Sequence, residues 1–319
     1  MRDFLPPFGL EKGDTLGAYS PSDALIGERA LRIERGVDVL REAGFAVRFG
    51  RNAFAKRGVS AGSPEEREED IVELVGDPCV RGLIATHGGK SCIDLINVGL
   101  PWELLRIKRK PILGFSDVSI LLNAVTAKTG LITFYGPNVL SRITHSRWAD
   151  LRSLTTGSQE FCSMRVLQRS DATAAVKPGT AIGQLFGGNL ECFVYGLIVT
   201  GFDLSAFHGG IFFWESSGMS AASVYQSLTA LSISGFLGKI EGMIIGDAFL
   251  EQRTDRASRD ENLLAVALAC AEHKFPILYM PVFGHRDDTD NPIIPIGCLA
   301  KIVAEDGLVE LMEPYVVRR

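Results

Sequence analysis

Lys110-Pro111-Ile112-Leu113-Gly114-Phe115-Ser116-Asp117-Val118-Ser119-Ile120-Leu121-Leu122-Asn123-Ala124-Val125 is the stretch on which the fold turns. A short apolar run, Ile112-Leu113, meets a glycine and then a serine, after which Leu121, Leu122 and Val125 recur at helical spacing. The segment is therefore expected to run strand, sharp turn, helix. Ser116 falls at the corner. Its hydroxyl would project above the end of a sheet, and the N–H of Asp117, at the start of the helix, would point where an oxyanion forms. The Gly-x-Ser-x-Gly signature is incomplete, because Val118 stands at its last position. The same residues also spell an ordinary helix cap, with Ser116 or Asp117 accepting from a first-turn N–H. The rest of the chain has to decide between the two.

Upstream, residues 12–20 give a short strand ending in Ser20-Pro21-Ser22, a turn expected to lead into a helix through about Ala43 that Gly44 stops. Phe45 to Phe49 alternates as a strand. Ser63-Pro64-Glu65-Glu66 supplies an N-cap, a proline at the first helical position and a glutamate at the capping-box position, opening a helix to Val75. Gly82 to Thr86 reads as a buried strand that runs into His87-Gly88-Gly89. Strands alternating with helices at this spacing predict parallel βαβ units, whose ligands gather at the C-terminal ends of the strands. Gly88 and Gly89 would let the backbone approach such a ligand, and either could offer an N–H to an oxyanion. A phosphate loop is the competing reading, but the chain has neither Gly-x-x-x-x-Gly-Lys-Ser/Thr nor a Gly-x-Gly-x-x-Gly after a strand.

Downstream, Leu131 to Tyr135 reads as another strand, ending in Gly136-Pro137-Asn138. Between about Ser141 and Gly179 Thr, Ser, Arg and Gln dominate, as in a linker or flap between two domains. Its Trp148 and Phe161 offer either a stacking platform for a planar group or an anchor to the body. Gly183 to Leu190 reads as a second Gly-rich turn leading to a helix. A strand from Gly210 ends at Glu215, a helix is expected around Ala221–Ile233, and a strand from Gly242 ends at Asp247. A helix around Asn262–Ala271 precedes Pro276-Ile277-Leu278-Tyr279-Met280-Pro281, and the chain then reaches Gly284-His285. Ile293 to Gly297 and Leu308 to Leu311 look like antiparallel strands. The predicted division is 1–145 for a nucleophile domain, 146–178 for the linker or flap, and 179–319 for a domain carrying the Glu and His.

At 319 residues, 46% hydrophobic and 22% charged, the chain has the composition of a packed globular protein with a sizeable core. A net charge of −5 without a Lys/Arg-dense run argues against a nucleic-acid partner, whose phosphates draw on clustered cations. The N-terminal residues lack the charged start and apolar block of a secretory signal, and no stretch approaches the roughly 18 apolar residues of a membrane span. Cysteines 79, 92, 162, 192, 270 and 298 are scattered singly. A reduced cytoplasmic protein with mostly buried free thiols is expected, with no membrane partner. Cys92 alone lies close to the proposed site.

Ser116, Glu215 and His285 share one context, each just past an apolar strand. A serine hydroxyl is a poor nucleophile until a histidine takes its proton, and that histidine needs a carboxylate to fix its tautomer and stabilise the imidazolium. Glu215 could instead be a loop acid or an ion-pair partner, and His285 a surface residue beside Arg286-Asp287-Asp288. A metal site is the other mechanism to weigh. The histidines at 87, 145, 208, 273 and 285 show no His-Glu-x-x-His and no i, i+4 pair, although Asp287, Asp288 and Asp290 follow His285. Neither a metal nor a cofactor is expected.

Taken in order, seven features cover nearly the whole chain: Ala61-Gly62-Ser63 with its acidic helix, Gly88-Gly89, Gly114-Phe115-Ser116-Asp117, Phe134-Tyr135-Gly136-Pro137, Gly187-Gly188-Asn189-Leu190, a strand ending in Glu215, and Phe283-Gly284-His285. Together they resemble the serine peptidase family of LD-carboxypeptidases and microcin C self-immunity proteins. The resemblance implies a Ser116-Glu215-His285 triad and an oxyanion hole from the N–H of Asp117 and one of Gly88 or Gly89. It also implies an α/β fold: an N-terminal doubly wound, mostly parallel sheet and a smaller C-terminal α/β domain with antiparallel strands, with the active site in the cleft between, and a homodimer. Asn189 and Trp148 are the expected substrate-binding residues.

LD-carboxypeptidases usually show Arg-Gly-Gly-Tyr-Gly where this chain has His87-Gly88-Gly89-Lys90-Ser91, and Phe-Tyr-Gly-Pro is closer to the microcin-immunity branch. That branch cleaves the amide joining an amino acid to a nucleotide-like sulfamate or phosphoramidate. The chain departs from it at Cys92-Ile93 and Ser216-Ser217-Gly218. The expected function is an amide hydrolase of this branch acting on a small-molecule or short-peptide substrate. The alternatives are a murein LD-carboxypeptidase and, from another class, a non-catalytic protein that holds a small ligand.

Overall fold

The computed structural model describes residues 4–141, 154, 170–248, 256–285 and 291–319. The described residues divide into two compact units. The N-terminal unit holds 4–141 and Leu154, and takes back 293–297 and 314–319 from the end of the chain. The C-terminal unit holds the described part of 170–292 together with 298–313.

The N-terminal unit is built on strands β1 (Thr15–Tyr19), β2 (Ala46–Phe49), β3 (Val80–Ala85), β4 (Ile112–Gly114) and β5 (Thr133–Tyr135), all paired in parallel. Ile294–Ile296 joins the far edge antiparallel to β5. Across the sheet the order is Ile294–Ile296, β5, β4, β3, β1, β2. β3, β4 and β5 run almost wholly buried, as strands covered on both faces must. The helix Pro64–Gly76 begins as the sequence predicts: the Ser63 side chain accepts from the Glu66 N–H at 3.2 Å, and the Glu66 carboxylate accepts from the Ser63 N–H at 2.7 Å. The helix Ser119–Thr129, which carries apolar residues all round, is buried along nearly its whole length.

The C-terminal unit has a second sheet. Parallel strands β7 (Thr180–Asn189), β8 (Ile211–Glu215), β9 (Gly242–Ile245) and β10 (Ile277–Tyr279) form its centre. Leu299–Val303 pairs antiparallel with β7, Leu308–Leu311 with Leu299–Val303, and β6 (Ala174–Lys177) with β10, so both edges are antiparallel. Phe186, Phe193, Phe207, Phe212 and Phe236 cluster on one side, with the Phe186 and Phe207 rings stacked at 4.8 Å and 7°. The mixed α/β class with two sheets is the one expected. No helix of the described residues is long and apolar enough to cross a membrane.

Three elements differ from the sequence reading. The first helix runs Glu28–Glu42 and so starts later than the Ser20-Pro21-Ser22 turn. Residues 20–24 are engaged elsewhere: Ser20 Oγ bonds Ala53 O at 2.7 Å, and the Ala24 N–H bonds Val59 O at 2.7 Å. Gly187-Gly188 is no turn but the interior of β7. Gly187 answers close approach, since a Cβ on it would lie 1.8 Å from Phe213 O. Ala174–Lys177, within the stretch read as linker or flap, is an edge strand, while 142–153 and 155–169, with Trp148 and Phe161, lie outside the described residues.

Candidate active site

β4 ends at Gly114, where a Cβ would fall 2.3 Å from Val118 Cγ1, so the chain can fold back sharply only with glycine there. Ser116 follows with φ 64°, a left-handed conformation that a side chain adopts only when its surroundings hold it. They do. Asn138 accepts the Phe115 N–H at 2.9 Å and donates to Phe115 O at 3.4 Å, and Tyr135 Oη accepts the Ser116 N–H at 3.2 Å. The chain then passes through a short 3₁₀ turn, Ser116–Val118, into the helix Ser119–Thr129. The Asp117 carboxylate is not used on its own helix: its Oδ2 accepts from Ser22 Oγ and from the Cys92 N–H at 2.9 Å.

Gly88 packs against this corner. A Cβ there would lie 3.0 Å from Ser116 Cβ and 3.3 Å from the Asp117 nitrogen. Gly89, with φ 154°, abuts Asp23 instead, its Cβ position falling 2.2 Å from Asp23 Cγ. His87, 7% exposed, sets Nδ1 against Thr86 Oγ1 at 3.1 Å, and its Nε2 has no partner among the described residues. Burial, with the Arg29 charge adding, pulls its pKa to about 4, so the ring is neutral near pH 7. Burial also pushes the Cys92 thiol well up, the Asp117 charge reinforcing it, which leaves Cys92 protonated and unreactive.

In the C-terminal unit Glu215 closes β8 with no exposed surface. Its Oε2 lies 2.6 Å from His285 Nδ1, and its Oε1 accepts from Asn189 Nδ2 at 3.2 Å. Asn189 ends β7, and its Oδ1 accepts the Cys192 N–H at 3.2 Å, capping the short helix Leu190–Phe193. Backbone bonds stitch the neighbouring strand ends: the Gly246 N–H to Trp214 O at 2.7 Å, and the Asp247 N–H to Phe283 O at 2.7 Å. Asn291 accepts the Gly284 N–H at 2.5 Å and donates to Gly284 O at 2.8 Å. Gly284 itself has φ 146°, and a Cβ on it would fall 2.7 Å from Asp247 Cβ.

Burial disfavours the charge on His285, but the adjacent Glu215 carboxylate and its hydrogen bond, with Asp247 and Glu191 adding, outweigh burial and raise the pKa. In the neutral ring, a carboxylate at Nδ1 keeps the proton there and the lone pair on Nε2. Glu215 is thus no loop acid, since it ends a buried strand with its carboxylate against His285. Asp287, Asp288 and Asp290 lie outside the described residues, and among the described residues no group of three His, Cys, Asp or Glu side chains could hold a metal.

Ser116, Asp117 and Gly88 therefore meet in one unit, and Glu215, His285 and Asn189 meet in the other. The sequence reading missed Asn138, Asn291, Tyr135 Oη and Ser22. Asn138 closed Gly136-Pro137-Asn138, Tyr135 belonged to Phe134-Tyr135-Gly136-Pro137 and Ser22 to the Ser20-Pro21-Ser22 turn, but nothing in those stretches disclosed the contacts they make.

Residues 16–136 match the family model for the LD-carboxypeptidase N-terminal domain, and residues 182–302 the model for the LD-carboxypeptidase C-terminal domain. The chain belongs to the LD-carboxypeptidase family. It is accordingly a serine-type carboxypeptidase or related hydrolase. Among the relatives of this LD-carboxypeptidase family chain is a Bacillus subtilis protein named "Probable murein peptide carboxypeptidase", 29% identical over 246 residues, 76% of this chain and 74% of its own. The Escherichia coli microcin C7 self-immunity protein MccF is 26% identical over 266 residues, 74% of this chain and 76% of its own. A solved structure of MccF in complex with glutamyl sulfamoyl guanosine has a TM-score of 0.85 at 23% identity, covering 98% of this chain and 100% of that one, a likeness of fold.

Proposed function

We propose that this chain is a Ser-Glu-His hydrolase that cleaves an amide bond between an amino acid and a nucleotide-like group, in the manner of a self-resistance or detoxifying enzyme. The observation that carries the reading is the 2.6 Å bond between His285 Nδ1 and a fully buried Glu215, an arrangement suited to a general base. The strained φ of 64° at Ser116 supports that residue as the nucleophile.

Ser116 Oγ attacks the scissile carbonyl carbon while His285 Nε2 takes its proton, and Glu215 stabilises the imidazolium. The developing oxyanion is held by the Asp117 N–H and, since Gly88 rather than Gly89 packs against Ser116, by the Gly88 N–H. His285 then gives its proton to the departing nitrogen, leaving an acyl-Ser116 ester that water hydrolyses with His285 as base again. Asn189 holds the other Glu215 oxygen, Trp148 in the segment read as linker or flap is the proposed selector of the leaving group, and the enzyme is proposed to be a cytoplasmic homodimer.

Substrate class is supported by MccF, whose structures hold glutamyl sulfamoyl guanosine and aspartyl sulfamoyl adenosine. That His87, neutral near pH 7, stands where LD-carboxypeptidases usually show Arg also supports it. The second reading is a murein peptide carboxypeptidase, favoured by the Bacillus relative's name. Purified protein offered aspartyl sulfamoyl adenosine and a murein tetrapeptide in parallel should hydrolyse the first faster. Faster release of the terminal D-residue would establish the second reading, and no turnover of either would defeat both.

A further inference from the structure

The loops following β1, β3 and β4 are joined beneath the Ser116 corner by polar groups that the proposed triad does not use. The Asp117 carboxylate, on a residue 1% exposed, sits at the centre. Its Oδ2 accepts from Ser22 Oγ, in the loop after β1, and from the Cys92 N–H, in the loop after β3. Ser22 Oγ in turn accepts from the Ser91 N–H at 3.3 Å. Next to it, Asp23 Oδ1 accepts from the Lys90 N–H at 2.9 Å and from Ser91 Oγ at 3.3 Å. Arg67, itself 2% exposed, closes the ring by donating to Pro21 O at 3.0 Å, Ser91 O at 2.8 Å and Asp94 Oδ2 at 2.7 Å.

A buried carboxylate oxygen is costly unless it is hydrogen-bonded, and bonding Oδ2 ties together the two loops that supply its donors. Those loops are not arbitrary. The same residue contributes its own N–H to the proposed oxyanion hole, and the loop held at Lys90, Ser91 and Cys92 carries Gly88, whose Cβ position lies 3.3 Å from that nitrogen. Oxyanion donors are effective only when their spacing is set before the charge appears. We infer that the Asp117 carboxylate is a positioning residue that sets the distance between the Asp117 and Gly88 N–H groups, with Ser22 as its second anchor. This rests on the oxyanion hole of the proposed function and assigns the side chain beneath it.

The test compares Asp117→Asn, Ser22→Ala and Ser22→Thr with wild type on whichever of the sulfamoyl adenosine and the tetrapeptide the enzyme hydrolyses, with active sites titrated by a fluorophosphonate. Loss of one donor's alignment should lower kcat on the order of 10²-fold in Asp117→Asn and about 10-fold in Ser22→Ala, with KM within about threefold. Ser22→Thr, which keeps the hydroxyl, should restore most of the loss. A kcat within about threefold of wild type per titrated site in Asp117→Asn, or an equal loss in Ser22→Thr and Ser22→Ala, overturns the inference. If Asp117→Asn does not fold, the two Ser22 variants decide by the same criteria. An active Ser116→Ala would sink the proposed mechanism itself, a separate outcome from failure of the positioning role.

Discussion

The two units prepare their functional residues with the same device under different loads. In the N-terminal unit Asn138 bonds both backbone groups of Phe115, the residue before Ser116; in the C-terminal unit Asn291 bonds both backbone groups of Gly284, the residue before His285. The first clamp works against strain, because Ser116 is held at φ 64°. The second accompanies charge: His285 is governed by Glu215, Asp247 and Glu191, which raise its pKa against the effect of burial. In the proposed mechanism the nucleophile has its backbone held and the base its ring electrostatics. Substitutions on the two sides should fail in different ways.

The largest effect is expected at Ser116. Ser116→Ala should lower kcat on the order of 10⁴–10⁶-fold with the fold intact, as circular dichroism and Tm would verify; retention of more than about a tenth of wild-type activity would rule out covalent catalysis. Glu215→Gln should lower kcat less, on the order of 10⁴-fold or below, because an uncharged partner still holds the ring while stabilising its cation poorly. A wild-type rate for that variant would move the carboxylate role elsewhere.

The clamps come next. Removing either breaks two hydrogen bonds of about 1 kcal/mol each, so both Asn138→Ala and Asn291→Gly should lower Tm. Glycine is the informative replacement at Asn291 because its φ is 43°. Asn138→Ala should also lower kcat by about 10–100-fold, more than Asn291→Gly, since a released Ser116 can relax out of its strained conformation. Equal kcat losses would mean that the clamp does not hold that strain.

The smallest effect is a shift in pH profile. His285 must be neutral to accept a proton, so kcat/KM should fall as pH drops through its pKa, which Glu215, Asp247 and Glu191 raise above the ordinary value of about 6.5. The acidic limb of wild type should lie above that value. Glu215→Gln, lacking the largest raising group, should move its residual limb to lower pH, and a limb that stays in place would detach His285 from it.

What the sequence disclosed was local or periodic. The Ser63-Pro64-Glu65-Glu66 cap needed only three-residue spacing, and the strands Ile211–Glu215 and Gly242–Ile245 needed only an apolar run and its terminus. The Ser116 corner was legible because Gly114 and the helix after it are adjacent in sequence. The clamps were not, because Asn138 reaches back 23 positions to Phe115, and nothing at either residue alone announces the partner. Gly187-Gly188 misled for a physical reason: glycine serves both turns and close backbone approach, and only the neighbouring Phe213 carbonyl tells which. Ile294–Ile296 was recognisable as a strand, but its pairing with β5 in the sheet of the N-terminal unit is long-range. Asn189, expected to bind substrate, has its amide engaged with Glu215 and Cys192, a use that its place after two glycines did not suggest.

The measurement that tests the central claim most directly is covalent labelling with a fluorophosphonate followed by peptide mass mapping. The account predicts one phosphonyl group on Ser116, incorporated in step with loss of hydrolysis, slowed in Glu215→Gln and absent from Ser116→Ala. Full inactivation with the adduct on another residue would contradict it, as would an unlabelled enzyme whose activity is lost to EDTA and restored by zinc.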